Sequence, residues 1–462
     1  MSDAPRLSDD LNAESWVRRV PMFDLPGVAG AKASRFAKLV DVLGERDTHG
    51  RAGEPFGVFV PGRIELLGKH TDYAGGQSMT VATEQGFFVV AQPRNDAWIS
   101  VLDVSSGENI RFEMLPDVTP PLGCWSNYPM TVGRRLARNF PGIRRGADIA
   151  FASDLPRAAG MSSSSALMVA VFLVLAEVNQ LACRAEYRRN IRGKGDLAAY
   201  AGTIENGRGF ASLEGDSGVG TLGGSEDQTA ILCSEADRIS LYSYCPVTLE
   251  RRLPMSPDGV FVVGVSGVVA EKTGAAREKY NAASRSASML LEMWRNATGR
   301  EDPTLAAALH SAPDASDRLR GLLQTHSPSG IDAAALKTRL EHFVVENECV
   351  IPAAVAALAA GDLAAFGQAV DRSQYATEHL LANQVPETLF LAAEARRQGA
   401  LAASAFGAGF GGSVWAMVER TRAAQFSAAW AAAYHKVFSR HAEVSRFFAS
   451  GAGSAAFVVE MV

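Results

Sequence analysis

The sequence predicts an α+β fold shared between two domains, and three observations predict it. Strand-like and helix-like stretches are interleaved without a regular βαβ repeat or an internal period, which argues against a doubly wound sheet. A length of 462 residues gives room for two or three domains with ample core. A composition of 47% hydrophobic and 21% charged residues is ordinary for a soluble globular chain.

Taken in order, residues 1–40 are polar and mixed and read as an N-terminal arm. FGVFVPGR (56–63) is a short strand ended by Pro-Gly, and TVATEQGFFVVAQPR (80–94) and AWISVLDVSS (97–106) are β-rich. YPMTVGRRLARNF (128–140) has helical character, and GADIAFASDLP (146–156) alternates like a strand until Pro156. AAGMSSSSALMVAVFLVLAEVNQL then runs from a Gly-Ser loop into a helix apolar on most faces, the mark of a buried helix. Residues 207–228 are glycine-rich and loop-like, whereas GVFVVGVSGVV (259–269) is a buried strand. Residues 300–330 read as an exposed connection, and 331–400 as several Ala-rich amphipathic helices. AFGAGFGGSVWAMV (405–418) is a glycine turn followed by a strand, and SRFFASGAGSAAFVVEMV closes the chain in β-like fashion. A boundary near 246–258 gives domains of 41–250 and 251–462.

Charge narrows the partners. Lys+Arg 45 against Asp+Glu 50 gives a net charge of −5, which argues against broad binding to nucleic acid or anionic membranes. The stretch MSDAPRLSDDLNAESWVRR carries no apolar core with a small-residue cleavage site, so export is not expected. The longest strongly apolar run, Ala166–Ala176, is 11 residues, too short to span a bilayer. Cys124, Cys183, Cys233, Cys245 and Cys349 are scattered without a CxxC pair, as free thiols in a reducing cytoplasm would be, and suggest no zinc site.

GRIELLGKHTDYAGG (62–76) poses the first chemical question, because Gly68-Lys69 could end a phosphate-binding loop. That loop needs G-x-x-x-x-G-K-[ST]; here five residues separate Gly62 from Gly68, and His70 replaces the magnesium-holding hydroxyl. The reading fails. Arg63, His70 and Asp72 can instead be turn-forming polar groups at a strand end, or a cation, imidazole and carboxylate that bind sugar hydroxyls.

DLPRAAGMSSSSA (154–166) is a serine-rich linker or an anion site at a helix N-terminus. Its direct attachment to an apolar helix favours the second. AFGAGFGGS (405–413) has four glycines in six residues and could pack against phosphate or against the first loop, though bare glycine turns are common. Asp227 in GGSEDQ and Glu205 in TIENGRG could be solvated surface charges. They could also be the carboxylates that phosphoryl transfer needs, one toward a hydroxyl and one toward a metal.

The ordered set GRIELLGKHTDYAGG, DLPRAAGMSSSSA, GGSEDQ and GAGFGG resembles the galactokinase branch of the GHMP kinases (galacto-, homoserine, mevalonate and phosphomevalonate kinases). WSNYPMTVGRRL (125–136), EKYNAASRSA (278–287) and GDLAAFGQAVDRSQ (361–374) extend the resemblance to roughly residues 40–462. It implies a two-domain α+β kinase with its site in the cleft between domains, moving the γ-phosphoryl of Mg-ATP to a sugar's anomeric hydroxyl. By resemblance, Asp227 is the catalytic aspartate and Arg63 the arginine beside it. Lys69, His70, Asp72, Gly224 and Tyr280 fall at sugar positions. Trp125 and Tyr128 match aromatics near adenine; Gly160, Ser162, Ser163, Ser164 and Gly409 fall on the nucleotide loops; Ser164 and Glu205 stand at the magnesium positions. The implied partners are a small sugar and ATP, with no nucleic acid or membrane, for a cytoplasmic monomer or weak dimer.

The sequence departs from the family's G-R-x-N-L-I-G-E-H-T-D-Y at Glu65 and Lys69. A lysine only donates, so it cannot accept the sugar hydroxyl that the usual glutamate accepts. Either Glu65 and Lys69 pair four residues apart on a helical turn, or Lys69 selects an acidic sugar such as a galacturonate. A non-catalytic sugar and ATP sensor is the reading from another class; the intact serine run argues for an enzyme. Ala158 replaces a loop glycine, and the spacing from Glu205 to Asp227 is expanded, which leaves the role of Glu205 open.

Overall fold

The computed structural model describes residues 17–21, 29–45, 50–270, 277–325 and 332–461. Thirteen strands form two sheets: β1 (Arg18–Pro21), β2 (Phe56–Leu67), β3 (Gln77–Pro93), β4 (Trp98–Asp103), β5 (Asn109–Glu113), β6 (Ala147–Ser153), β7 (Arg238–Ser243), β8 (Thr248–Pro254), β9 (Gly259–Val265), β10 (Ala402–Phe406), β11 (Ser413–Glu419), β12 (Arg446–Ser450) and β13 (Phe457–Glu460).

The larger sheet runs β1-β13-β2-β3-β6-β4-β5, with β7 and β8 added along the far end of β3. The smaller is antiparallel, in the order β10-β11-β9-β12. The expected division after residue 250 therefore falls inside β8, and the change of sheet lies between Pro254 and Gly259. Two further departures concern the ends. The expected arm contributes β1, which pairs in parallel with β13, and β13 crosses back to pair with β2. Sequence periodicity reports which face of a strand is buried but not which sheet it joins.

β2 is the strand that matters most. It extends four residues beyond the predicted end at Arg63, through Leu67, and is buried along nearly all its length between β13 and β3. Its pairing with β3 slips at Pro61/Arg63 and again at Glu65/Leu67. Proline has no ladder donor and is tolerated at such irregularities, and a bulge re-aims the side chains that follow it. Arg63 and Glu65, two residues apart, line the same cleft.

Helix Ser163–Val178 is the buried helix foreseen: everything from Ser165 to Leu175 is buried, and Val169, Phe172 and Leu173 join the core of Val58, Val60 and Val89 beneath the large sheet. That core continues through Phe261, Val263, Trp415 and Met417 of the small sheet to Ile351 and Phe366. The other face of the small sheet is covered by Leu391, Ala395, Phe426 and Trp430 from helices Pro386–Arg397 and Ala423–Val437.

Residues 300–325 are not an exposed connection. They form helices Leu305–His310 and Ala315–Thr325, whose Leu305, Leu319 and Leu323 pack with Trp294, Leu340 and Phe343 in a separate core. Helix Leu305–His310 is too short for its apolar spacing to repeat, whereas Ala315–Thr325 does carry apolar residues at 315, 319, 322 and 323, a signal the sequence reading passed over. Residues 326–331 lie outside the described set. Residues 333–359 form one helical run, 27 residues long and apolar enough by composition to cross a membrane. It nonetheless buries Arg339, His342 and Glu346 among protein side chains, as a core helix does. All five cysteines are free thiols.

Candidate active site

Two pockets lie to either side of the contact between Arg63, which lines the first, and Gly160, which lines the second. The first is lined by Arg63, Glu65, His70, Asp72, Gly224, Asp227, Tyr280 and Gly407, among others. The second is lined by Trp125, Tyr128, Gly160, Ser162, Ser163 and Ser164, together with Asp103 and Arg157. Arg63 ties them together. Its Nε and Nη2 donate to Asp227 Oδ1 at 2.9 and 2.8 Å, while Nη1 donates to the Gly160 carbonyl at 2.6 Å. Burial works against the guanidinium's charge, but Asp227, Glu226 and Glu65 more than offset this and hold it firmly protonated.

Asp227 opens helix Glu226–Cys233, where two acidic residues complement the N-terminal dipole. Its other oxygen, Oδ2, lies 3.1 Å from the Ser165 hydroxyl, which also sits 2.7 Å from Glu205 Oε2. Gln228 Nε2 donates to the same Glu205 oxygen at 2.7 Å. Glu205 therefore does reach Asp227 despite the expanded spacing. The intervening loop is anchored by Asp216, which takes Arg134 at 2.8 Å and Arg135 at 3.4 Å, and Val219 N–H closes onto the Glu205 carbonyl.

The serine on Glu205 is Ser165, whereas Ser164, expected there, faces the second pocket. Successive helical residues turn by about 100°, so neighbouring serines point to different sides. Ser162 precedes the helix in a left-handed conformation (φ 61°), and its buried hydroxyl has no partner among the described residues. With the helix's free N–H groups, that leaves donors turned toward an anion.

His70 bridges the Tyr73 hydroxyl at 3.0 Å and the Ala408 carbonyl at 3.3 Å, and its ring lies 5.3 Å from that of Tyr280. Asp72 accepts the amides of Tyr73 at 2.8 Å and Glu226 at 3.1 Å. Gly224 packs so close to Asp72 that a side chain there would collide with the carboxylate. The glycine turn 407–412 packs on the serine loop: at Gly407 (φ +81°) a Cβ would come 2.7 Å from the Gly160 carbonyl. Gly409 was expected at the nucleotide; it backs onto Asn383, outside the lining of the second pocket.

Lys69 is also placed differently from expectation. Its Nζ is buried and donates to Ser373 Oγ at 2.9 Å, and Lys69 does not line the first pocket. Nor does it form a helical pair with Glu65, which lies in β2 and accepts the Gly407 amide at 2.8 Å.

Sequence reading missed Glu226. It lies 3.4 Å from Arg63 Nε, and its Oε1, like Glu65 Oε1, has no hydrogen-bond partner among the described residues. The signal was available: an acidic residue immediately before Asp227 in GGSEDQ shares the first turn of the same helix. Burial raises both carboxyls above the ordinary range, Glu226 the more, and the neighbouring Glu65 charge raises Glu226 further.

The folded state therefore holds their protons more tightly than the unfolded chain, where such groups titrate near 4.5. Stability from this source falls as pH rises from there through the raised folded values. Glu226→Gln should accordingly melt above the parent protein at about pH 8 by the equivalent of roughly 1–3 kcal/mol, with the gap narrowing toward about pH 5. Thermal melts of both proteins across that range check the trend; a gap that widens toward acid contradicts it.

A buried arginine thus spans an aspartate and a serine-rich helix N-terminus, between two adjoining pockets. Three sequence profiles match the chain: "Galactokinase galactose-binding signature" over 46–93, "GHMP kinases N terminal domain" over 127–233 and "GHMP kinases C terminal" over 354–436. A galactokinase of Roseiflexus sp. (strain RS-1) is 30% identical over 392 residues, 84% of this chain and 89% of that protein. A galactokinase of Chloroflexus aggregans is 30% identical over 387 residues, covering 81% and 86%. The fold is similar to that of Lactococcus lactis galactokinase solved with galactose (TM-score 0.73, 24% identity, 92% of this chain and 99% of that one). A mevalonate kinase aligns with a TM-score of 0.51 at 12% identity, over 86% of this chain and 99% of its own. The chain belongs to the galactokinase branch of the GHMP kinases. It is a sugar kinase, of a family that uses ATP.

Proposed function

We propose that the protein transfers the γ-phosphoryl of Mg-ATP to the anomeric hydroxyl of a hexose of the galactose type. The observation that carries this is Arg63, hydrogen-bonded at once to Asp227 in the sugar pocket and to the Gly160 carbonyl at the serine loop. A loose phosphoryl-transfer transition state asks mainly for alignment and charge stabilisation. In this reading Asp227 orients the attacking hydroxyl and takes its proton, while Arg63 stabilises charge on the phosphoryl oxygens. His70, Asp72, Gly224 and Tyr280 hold the sugar. Ser162, Ser163 and Ser164 hold the phosphates, with the base against Trp125 and Tyr128.

The residues present fit magnesium. One Ser165 proton cannot serve Glu205 and Asp227 together, and two hard carboxylate oxygens on a shared hydroxyl suit a cation that takes one or two protein carboxylates besides phosphate. Glu205 and Asp227 would hold it, and when bound it supplies neutralisation of phosphate charge.

The uronate alternative has lost its motive, since Lys69 donates to Ser373 and the cleft it would have served is already rich in carboxylates. A coupled ADP-release assay with galactose and Mg-ATP, with product NMR, tests the proposal. ADP released in step with a 1-phosphate is expected; binding of sugar and ATP without turnover would make the protein a sensor and overturn it.

A further inference from the structure

We propose that the preferred sugar carries an amino group, which Glu65 and Glu226 recognise as an ammonium. This rests on the kinase reading above and deepens it. The sugar-side pocket is lined by five carboxylates, Glu65, Asp72, Glu205, Glu226 and Asp227, and by one guanidinium, Arg63. Three of the five have evident work. Asp227 binds Arg63, Glu205 is held by Ser165 and Gln228, and Asp72 accepts two backbone amides.

Glu65 and Glu226 are matched less fully: Glu65 Oε2 accepts the Gly407 amide at 2.8 Å, but Oε1 of each carboxylate is left over. They are only 3% and 6% exposed, and each turns a buried oxygen without a hydrogen-bond partner among the described residues into the same pocket. Arg63 does not meet either need. Its Nε proton is directed at Asp227, leaving Glu226 at 3.4 Å without a hydrogen bond, and Glu65 lies 4.0 Å from Nη2. Lys69 contributes field at Glu65 but spends its Nζ on Ser373. His70 also faces the pocket, with its ring nitrogens at Tyr73 and Ala408.

A buried carboxylate oxygen left unmatched is costly. A neutral hydroxyl supplies one donor and no charge, whereas an ammonium supplies three donors and the missing positive charge. A uronic acid would add a further anion to the same space.

The test uses the full chain with Mg-ATP near neutral pH and compares kcat/KM for galactose, 2-amino-2-deoxygalactose, 6-amino-6-deoxygalactose, N-acetylgalactosamine and galacturonate. At least one amine should exceed galactose by about tenfold or more, which is about 1.4 kcal/mol. Galacturonate should be the poorest, and Glu65→Gln and Glu226→Gln should each shrink the preference for the amine over galactose. Galactose equal to or better than both amines overturns the proposal and leaves the kinase reading standing. So does an amine preference that neither glutamine variant changes. Should no sugar release ADP, the kinase reading is what fails, and calorimetric binding of the same sugars still decides the charge preference. Amines that bind no tighter than galactose overturn it there.

Discussion

Asp227→Asn should lower kcat by about 10²–10⁴-fold, the range typical for losing a positioned proton acceptor, while the dissociation constant for ATP measured without magnesium changes by no more than a few-fold. The asymmetry follows from the geometry. Asparagine keeps the size of the side chain and can still accept a hydrogen bond from Arg63, so the link from Arg63 Nη1 to Gly160 survives. What disappears is the charge that would orient and deprotonate the sugar hydroxyl. The second pocket, proposed above to take the nucleotide, is lined by Trp125, Tyr128 and Ser162 to Ser164, not by Asp227. Turnover by ADP release and nucleotide binding by calorimetry separate the two effects. Near-normal turnover would remove Asp227 from the mechanism; an equal loss of ATP binding would make its role structural.

Much of this site was legible because its chemistry lies in short local motifs. Arg63 and Asp227 are 164 residues apart in sequence, yet each sits in a stretch whose residue types announce it, and the fold brings them into contact. What could not be read depended on rotation or on distant partners. Whether Ser164 or Ser165 meets Glu205 depends on where the helix begins, and that is set by the left-handed turn at Ser162. The reach of β2 through Glu65 and Leu67 was hidden because Pro-Gly normally ends a strand, whereas here Pro61 sits at a break in register. The return of β13 to the first sheet and the short helix Leu305–His310 are set by tertiary packing, which local pattern does not encode. Glu226 was visible as a residue; its significance was not, because only the fold turns it toward Glu65 and Arg63.

Lys69→Glu would restore the residue type usual in the family, yet it should damage this protein by destabilising it. Lys69 Nζ, 1% exposed, donates to Ser373 Oγ, which in turn donates to Glu346 Oε1 at 2.9 Å. The same Glu346 oxygen takes the Gly68 amide at 2.7 Å and the Lys69 amide at 3.4 Å, so it holds the turn that carries His70 and Asp72. These partners lie 304 and 277 residues away, on helical segments 363–376 and 345–350, which is why the sequence alone offered Glu65 instead. A glutamate at 69 removes the cation and sets a second buried carboxylate toward Glu346. Removing one member of a buried charged arrangement costs about 3–5 kcal/mol, and like charges left together add to it. Lys69→Met, which keeps an apolar stem but loses the charge and the hydrogen bond to Ser373, should lie between the variant and the parent in melting temperature. The exchange Lys69→Glu with Glu346→Lys should recover part of the loss, since it restores one charge of each sign. Melting curves for the four proteins give the ranking, and sugar preference measured on whatever folds should keep the parent's order. A Lys69→Glu protein as stable as the parent, with its preference moved between neutral and acidic hexoses, would instead put that side chain against the sugar.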